Sequence, residues 1–280
     1  ADRTPKQDFL ESNGADLDAD IFEASFGNDT VDAINQWVEK KTDGNVKKIL
    51  DEIPEGADMY LINASSFDAE WENEYEESDI LKDREFTCAD GTKKNVDLME
   101  ATEREYLCGE KETGFRKAYK EGYSFVALLP NEGIGINDYV NQLDGAAFLK
   151  LMEEAQEETV YTMLPAFESE TGFELSDTLK ALGMPLAFDK DQAEFPGIFE
   201  ESDVPVWIGR VLHKTHICVD AHGTKAGAAT VVEIMTESAA PQDPDEEPKE
   251  VYLDRPFVYA IVEDDTNLPV FIGTVEDIGK

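Results

Sequence analysis

Between residues 223 and 230 the chain carries almost no side-chain bulk. Gly223, Thr224, Lys225, Ala226, Gly227, Ala228, Ala229 and Thr230 follow closely on a strand-like run, Val-Leu-His-Lys-Thr-His-Ile-Cys-Val, at 211–219. Glycine and alanine add little volume and threonine favours extended backbone. Such a stretch either lies exposed as a linker or slides between two packed layers without steric penalty. Both readings make it a hinge. Beyond it come Val231-Val232-Glu233-Ile234-Met235-Thr236-Glu237-Ser238, a proline-broken acidic run at 241–248 and a second strand pattern at 251–262. The pattern predicts a protease-accessible loop, about 223–250, between two strands.

A chain of 280 residues, 41 % of them hydrophobic, can bury a sizeable core, and a single domain over 1–280 is expected. Its charge is unusual: 24 basic against 63 acidic residues give −39. That balance argues against binding nucleic acid or an anionic membrane through a basic patch. No apolar run approaches the roughly 20 residues that cross a bilayer, and no basic start followed by an apolar core marks a signal peptide. Cys88, Cys108 and Cys218 are an odd set at wide spacing, against a disulfide framework or a zinc site, and buried thiols are expected.

From Thr30 onward, Val31, Ile34, Trp37 and Val38 share one helical face, with Asp29 or Thr30 as N-cap and Gly44 as stop. Residues 59–64 read as a short buried strand after the turn Pro54-Glu55-Gly56. Further strands are predicted at 84–88, 94–99 and 123–129, and helices at 136–144, 146–154 and 176–182. Clustered strands with intervening helices make an α+β chain.

Catalytic and metal chemistry find little support. His213 and His216 lie three apart in a strand, so their side chains point to opposite faces and cannot chelate one ion. Asp16, Asp18 and Asp20 alternate as in calcium loops, but Ile21 stands where glycine is required. No Ser/His/Asp constellation is assignable. The chain reads as a non-enzyme without cofactor or metal. Asn63-Ala64-Ser65 matches the glycosylation pattern at a position expected to be buried.

Leu212-His213-Lys214 leading into the Gly223–Thr230 hinge, Arg255-Pro256-Phe257 beyond the loop and the closing Phe271-Ile272-Gly273-Thr274-Val275 together resemble the serpin family of serine protease inhibitors, in its prokaryotic-type members. The likeness continues upstream. Residues 30–50 resemble the helix that crosses the front of the family's main sheet. Asn63-Ala64-Ser65-Ser66-Phe67-Asp68-Ala69-Glu70-Trp71 resembles the family's Asn-Ala-x-x-Phe-x-x-x-Trp strand, and residues 164–184 resemble a strand leading into a later helix. The resemblance implies three β-sheets, surrounding helices and an exposed reactive loop. It also implies that the chain begins inside the fold, because serpins carry further helices and a strand of the main sheet ahead of the region that residues 1–26 resemble.

The resemblance implies roles as well. The loop is taken as substrate by a serine protease, glutamyl-specific or elastase-like, which stays covalently bound while the hinge side of the cleaved loop enters the main sheet between the strand near Asn63 and the strand near Leu212. The family's usual spacing from Gly223 puts the reactive bond at Glu237 and Ser238, with Met235 or Thr236 as alternatives. His213 matches a buried shutter histidine paired with Asn63, and Trp71 matches the tryptophan where the loop first enters. Ala221 stands where the family often has glutamate, and Lys225 where glutamate is usual. A monomer acting outside the cell is implied. A non-inhibitory binding module and an inactive truncated fragment are the alternatives.

Overall fold

A computed structural model describes residues 3–25, 27–53, 60–200, 205–224 and 248–278. In chain order its first elements are α1 (Gln7–Asp16), α2 (Asn28–Lys41), β1 (Ile62–Ser66), β2 (Ala69–Glu70), β3 (Ile80–Thr87), β4 (Lys93–Cys108), β5 (Glu112–Ala118) and β6 (Tyr123–Pro130). There follow α3 (Ile136–Val140), α4 (Gly145–Glu153), β7 (Gln156–Pro165), β8 (Phe167–Glu174) and α5 (Ser176–Ala181). The last are β9 (Leu212–Val219), β10 (Gly223–Thr224), β11 (Lys249–Tyr252), β12 (Phe257–Glu263) and β13 (Pro269–Val275). The chain divides into two compact units, Ala1–Ser66 with Glu170–His216 and Phe67–Ser169 with Ile217–Lys280.

In the first unit, α2 buries Val31 and Val38 as its periodicity predicts. It begins two residues earlier than expected, so Asp29 and Thr30 lie in its first turn and Gly27 is the N-cap. Its end is held by Thr42, which is buried, donates to the Val38 carbonyl and accepts from the Val46 amide. Asn35 then brackets the chain at 49–50, accepting from both amides and donating to the Leu50 carbonyl. β1 pairs in parallel with the first five residues of β9, from Ile62 opposite Leu212 to Ser66 opposite His216. The buried strand expected at 59–64 is corrected. Met59 lies outside the described residues, Leu61 is 66 % exposed, and Asn63 is exposed, because this face of β1 is uncovered among the described residues.

The second unit is built on a sheet ordered β11-β7-β4-β5-β6-β12-β13, with β3 also on β4. Its 16-residue strand β4 pairs with β3 at 93–99, with β7 at 98–106 and with β5 at 105–108. One long strand therefore joins pairing groups that could be counted as separate sheets. Alternation decides which side chain goes where. On β6, Phe125, Ala127 and Leu129 enter one core while Val126 and Leu128 enter the other; on β12, Phe257, Tyr259 and Ile261 part in the same way from Val258, Ala260 and Val262. Helices α3 and α4 close the second core with Ile136, Tyr139, Phe148 and Leu151.

Not every thiol is buried as expected: Cys88 is, but Cys218 is half-buried and Cys108 is exposed because it ends β4 at a hairpin. Both ends of the expected loop span are strand, with Gly223 and Thr224 in β10 and Lys249 and Glu250 in β11, paired to β7. Among the described residues no helix is long and apolar enough to cross a membrane.

Thr42→Val keeps the shape of a buried side chain and removes both of its hydrogen bonds, leaving the Val46 amide without its acceptor. The variant is expected to lose about 1–3 kcal/mol, measured as a lower denaturation midpoint with unchanged slope.

Candidate functional site

Strand β10 is two residues long and held on both sides. Gly223 and Thr224 pair antiparallel with Glu70 and Ala69 of β2, and Thr224 also lies opposite Val219, the last residue of β9. A Cβ at 223 would overlap the Ala69 carbonyl oxygen, so the backbones approach this closely only with glycine there. Thr224 is fully buried, its hydroxyl 2.5 Å from the Tyr119 hydroxyl.

Trp71 and Tyr119 form the floor beneath this strand. Their rings stack at 4.4 Å between centroids and 9° between planes, and Phe125 meets the indole edge-on at 5.9 Å. The Trp71 Nε1 donates to the Asp220 carbonyl at 2.8 Å, and the Trp71 amide donates to the His222 carbonyl at 3.0 Å. The Tyr75 amide donates to the Ala221 carbonyl. Asp220 tightens the turn further, its carboxylate accepting from the amides of His222 and Gly223. Burial pushes the Tyr119 phenol far up, against the opposing effect of the Thr224 hydrogen bond, so it stays neutral.

Below the rings lies a buried charge pair. Lys117, only 3 % exposed, bonds Glu103 at 2.9 Å, and its ammonium sits 4.4 Å from the Tyr75 ring centroid and 5.4 Å from that of Trp71. Burial raises the Glu103 carboxyl and the Lys117 charge works against that rise. On the outer side, Glu74 accepts from His222 Nδ1 at 2.8 Å and from Lys120 at 3.2 Å, and Lys120 also bonds Glu70 at 3.0 Å.

In the first unit, Asn63 and His213 are direct partners across β1 and β9, with Nδ1 and Oδ1 2.9 Å apart. Asn63 Oδ1 also accepts from Ser65 Oγ at 3.1 Å.

These elements agree with a relationship over nearly the whole chain. The family profile described as "Serpin (serine protease inhibitor)" matches residues 1–278. The chain belongs to the serpin family. It is 30 % identical to Serpin B10 of Sorex araneus over 252 residues, covering 86 % of this chain and 60 % of that protein. It is 31 % identical to an uncharacterised serpin-like protein of Methanosarcina acetivorans, covering 88 % of this chain and 57 % of that protein. The chain thus spans about three fifths of the length of these relatives. The native-state crystal structure of the thermophilic serpin tengpin superposes with a TM-score of 0.89 at 43 % identity, covering 99 % of this chain and 70 % of that one. Tengpin in its latent state gives 0.81 at 38 % identity, with 99 % and 73 % covered. The chain has the serpin fold, and the family's general role is protease inhibition rather than catalysis.

Of the residues singled out from the serpin resemblance, Gly223, Thr224 and Trp71 come together at one place. Asn63 and His213 come together at another. Lys225, Ala226, Gly227, Ala228, Ala229 and Thr230 lie outside the described residues, as do Met235, Thr236, Glu237 and Ser238. The shutter histidine expected to be buried is corrected: His213 is half-buried beside an exposed Asn63, so the Asn63-Ala64-Ser65 pattern is accessible. Sequence reasoning missed Tyr119, Lys117, Glu103, Asp220 and the Glu74–His222 contact. Tyr119 stands directly after a strand that was not predicted.

Removing one member of the buried pair strands the other. Lys117→Met is expected to cost about 3–5 kcal/mol near neutral pH. Without the ammonium the Glu103 carboxyl rises further above its unfolded value. The deficit is therefore full above the folded value and disappears below the unfolded one. Denaturation across pH reads this directly, and Glu103→Leu added to Lys117→Met should restore most of the loss.

Proposed function

We propose that this chain is a suicide-substrate inhibitor of serine proteases, trapping the acyl-enzyme by inserting the cleaved loop beside β9. The observation that carries the reading is Thr224, already seated as a strand residue with its side chain buried against Tyr119. In the inserted strand, alternation would put Ala226, Ala228 and Thr230 on the same face as Thr224, and all three are small or β-branched.

Extending the Thr224–Val219 register along β9 sets Ala226 opposite Ile217, Ala228 opposite Thr215 and Thr230 opposite His213. β1 now holds the Leu212–His216 part of β9, so insertion replaces the β1–β9 pairing, including the contact between Asn63 and His213. In the chemical step the protease serine attacks the carbonyl carbon of Glu237. The Glu237–Ser238 bond breaks, the Ser238 amine leaves, and an ester to the enzyme remains. Met235 and Thr236 are the alternative positions. A glutamyl-specific enzyme suits Glu237, and an elastase-like enzyme suits the alternatives. The family resemblance supports an encounter outside the cell between a monomer and its protease. New backbone pairing then stabilises the inserted state.

Mixing the chain with a glutamyl-specific and an elastase-like protease should give a complex that survives SDS, and Glu237→Ala should abolish it with the glutamyl enzyme alone. Ala228→Arg should be cleaved at the same bond with little complex, because a charge entering the sheet slows insertion and lets hydrolysis finish first. Position 228 is the better test than 224, where an arginine would already disrupt the uncleaved protein. Cleavage by every protease without any covalent complex would overturn the proposal.

A further inference from the structure

Beside the turn that joins β4 to β5, a carboxylate, a phenol and a short apolar wall meet around a cavity of about 150 Å³. We propose that this cavity binds a primary ammonium group carried on a short alkyl chain, with Glu112 and Tyr139 as its polar partners and Leu143 and Ala147 as its apolar wall. The site is independent of protease inhibition and uses none of the residues assigned to it.

Tyr139, on α3, lines the cavity and is 2 % exposed, and its hydroxyl is buried with no hydrogen-bond partner among the described residues. Buried polar groups in native proteins are nearly always paired, so an orphan at the wall of a cavity marks where a partner enters. Burial pushes this phenol far up and the Glu112 charge adds to the rise, so the hydroxyl stays neutral and is close enough to feel that carboxylate.

Glu112 owes its position to a glycine. The hairpin closes with the Gly109 amide donating to the Glu112 carbonyl at 3.0 Å, and a Cβ at 109 would stand 2.1 Å from Glu112 Oε1. The carboxylate therefore occupies the space that any other residue's Cβ would take. Gly109 is not in the left-handed region, so room for the carboxylate is what glycine provides here. Burial raises the Glu112 carboxyl and the Glu110 charge raises it further, against the backbone hydrogen bond and the charge of Lys111.

The occupant's charge follows from the lining. Lys111 donates to Gln142 Oε1, and Gln142 Nε2 in turn donates to the Asp138 carbonyl at 2.7 Å, so the lysine is tied back and leaves Glu110 and Glu112 in excess. The net charge of −39 also draws cations to the surface. Among the described residues no group of three or more His, Cys, Asp or Glu side chains could hold a metal ion, which favours an organic cation. Leu143 and Ala147 suit an alkyl chain, and a cavity of this volume takes a molecule of about six non-hydrogen atoms. An ammonium seated there donates one N–H to Glu112 and one to the Tyr139 oxygen, giving the phenol the partner it lacks.

Titrating the whole chain with n-propylammonium chloride at constant ionic strength tests this, read from the methyl resonances of Leu143 and Ala147. A saturable shift is expected with half-saturation at about 1–10 mM, within the ceiling for four non-hydrogen atoms. n-Propanol, which lacks the charge, and tetramethylammonium, which lacks the N–H groups, should bind roughly tenfold more weakly or not at all. Gly109→Ala, which displaces the Glu112 carboxylate while leaving every polar group in place, and Tyr139→Phe should each weaken propylammonium binding roughly tenfold. Without ligand, Tyr139→Phe should keep or raise the denaturation midpoint, since it removes no hydrogen bond. No saturable shift, or an equal one with tetramethylammonium, overturns the proposal. Unchanged binding in Tyr139→Phe overturns it too, because water would then serve the hydroxyl, and so does a lowered midpoint, which would mean that the hydroxyl is already paired.

Discussion

The stack of Trp71 on Tyr119 is the contact on which the hinge end of the second unit depends. Each ring is largely apolar and carries one polar atom that must find a partner once buried. For Trp71 that partner is the Asp220 carbonyl, and for Tyr119 it is the Thr224 hydroxyl. Both partners belong to the turn at 220–224, so satisfying the two aromatics fixes the turn. The glycine between them is equally constrained, since any side chain at 223 would meet the Ala69 carbonyl. The turn at 220–224 sits where the two buried aromatics find partners for their polar atoms.

The same core carries a cost. Lys117 and Glu103 are buried beneath the rings, and the Tyr75 hydroxyl is buried with no hydrogen-bond partner among the described residues. An apolar pair of similar volume is often as stable as such an ion pair or more so. What the charges supply is direction: the Lys117 ammonium faces both Tyr75 and Trp71 and favours ring orientations that present their faces to it. In the proposed reaction the uncleaved protein must be less stable than the inserted one. In that reading the polar floor under β10 is one place where the difference would be held.

How far the fold was legible depended on whether each segment showed its buried face in its own residues. Helix α2 did so through Val31 and Val38, and β6 and β12 through unbroken apolar runs. Strand β5 did not, because Lys117 is one of its inward positions and a lysine there reads as a surface residue. β7 and β8 are rich in glutamate and threonine, and their strand character comes from the neighbours they pair with. The site divided similarly. Gly223, Thr224 and Trp71 were visible through the family pattern. Tyr119, Asp220 and Glu74 gain their roles from partners more than a hundred positions away, a separation no local pattern records. Asn63 and His213 were paired correctly from the resemblance, but their exposure depends on what covers β1, which no local pattern in the strand encodes.

The register along β9 separates two barriers that a hinge description would merge. Thr224 already pairs with Val219 and Ala69, so in the proposed insertion the first residue of the new strand would need no nucleation. Each further residue adds backbone hydrogen bonds, as growth from an existing strand end does. Opposing this is the pairing of β1 with β9 from Ile62–Leu212 to Ser66–His216, together with the bond between Asn63 and His213. Bond-for-bond exchange along β9 leaves the backbone nearly balanced while β1 is displaced, and the gain comes when the new strand pairs on both sides. If the proposed insertion occurs, its start would depend on the contacts of Thr224 and its progress on the exchange of the β1–β9 pairing, so the two could be varied by different substitutions.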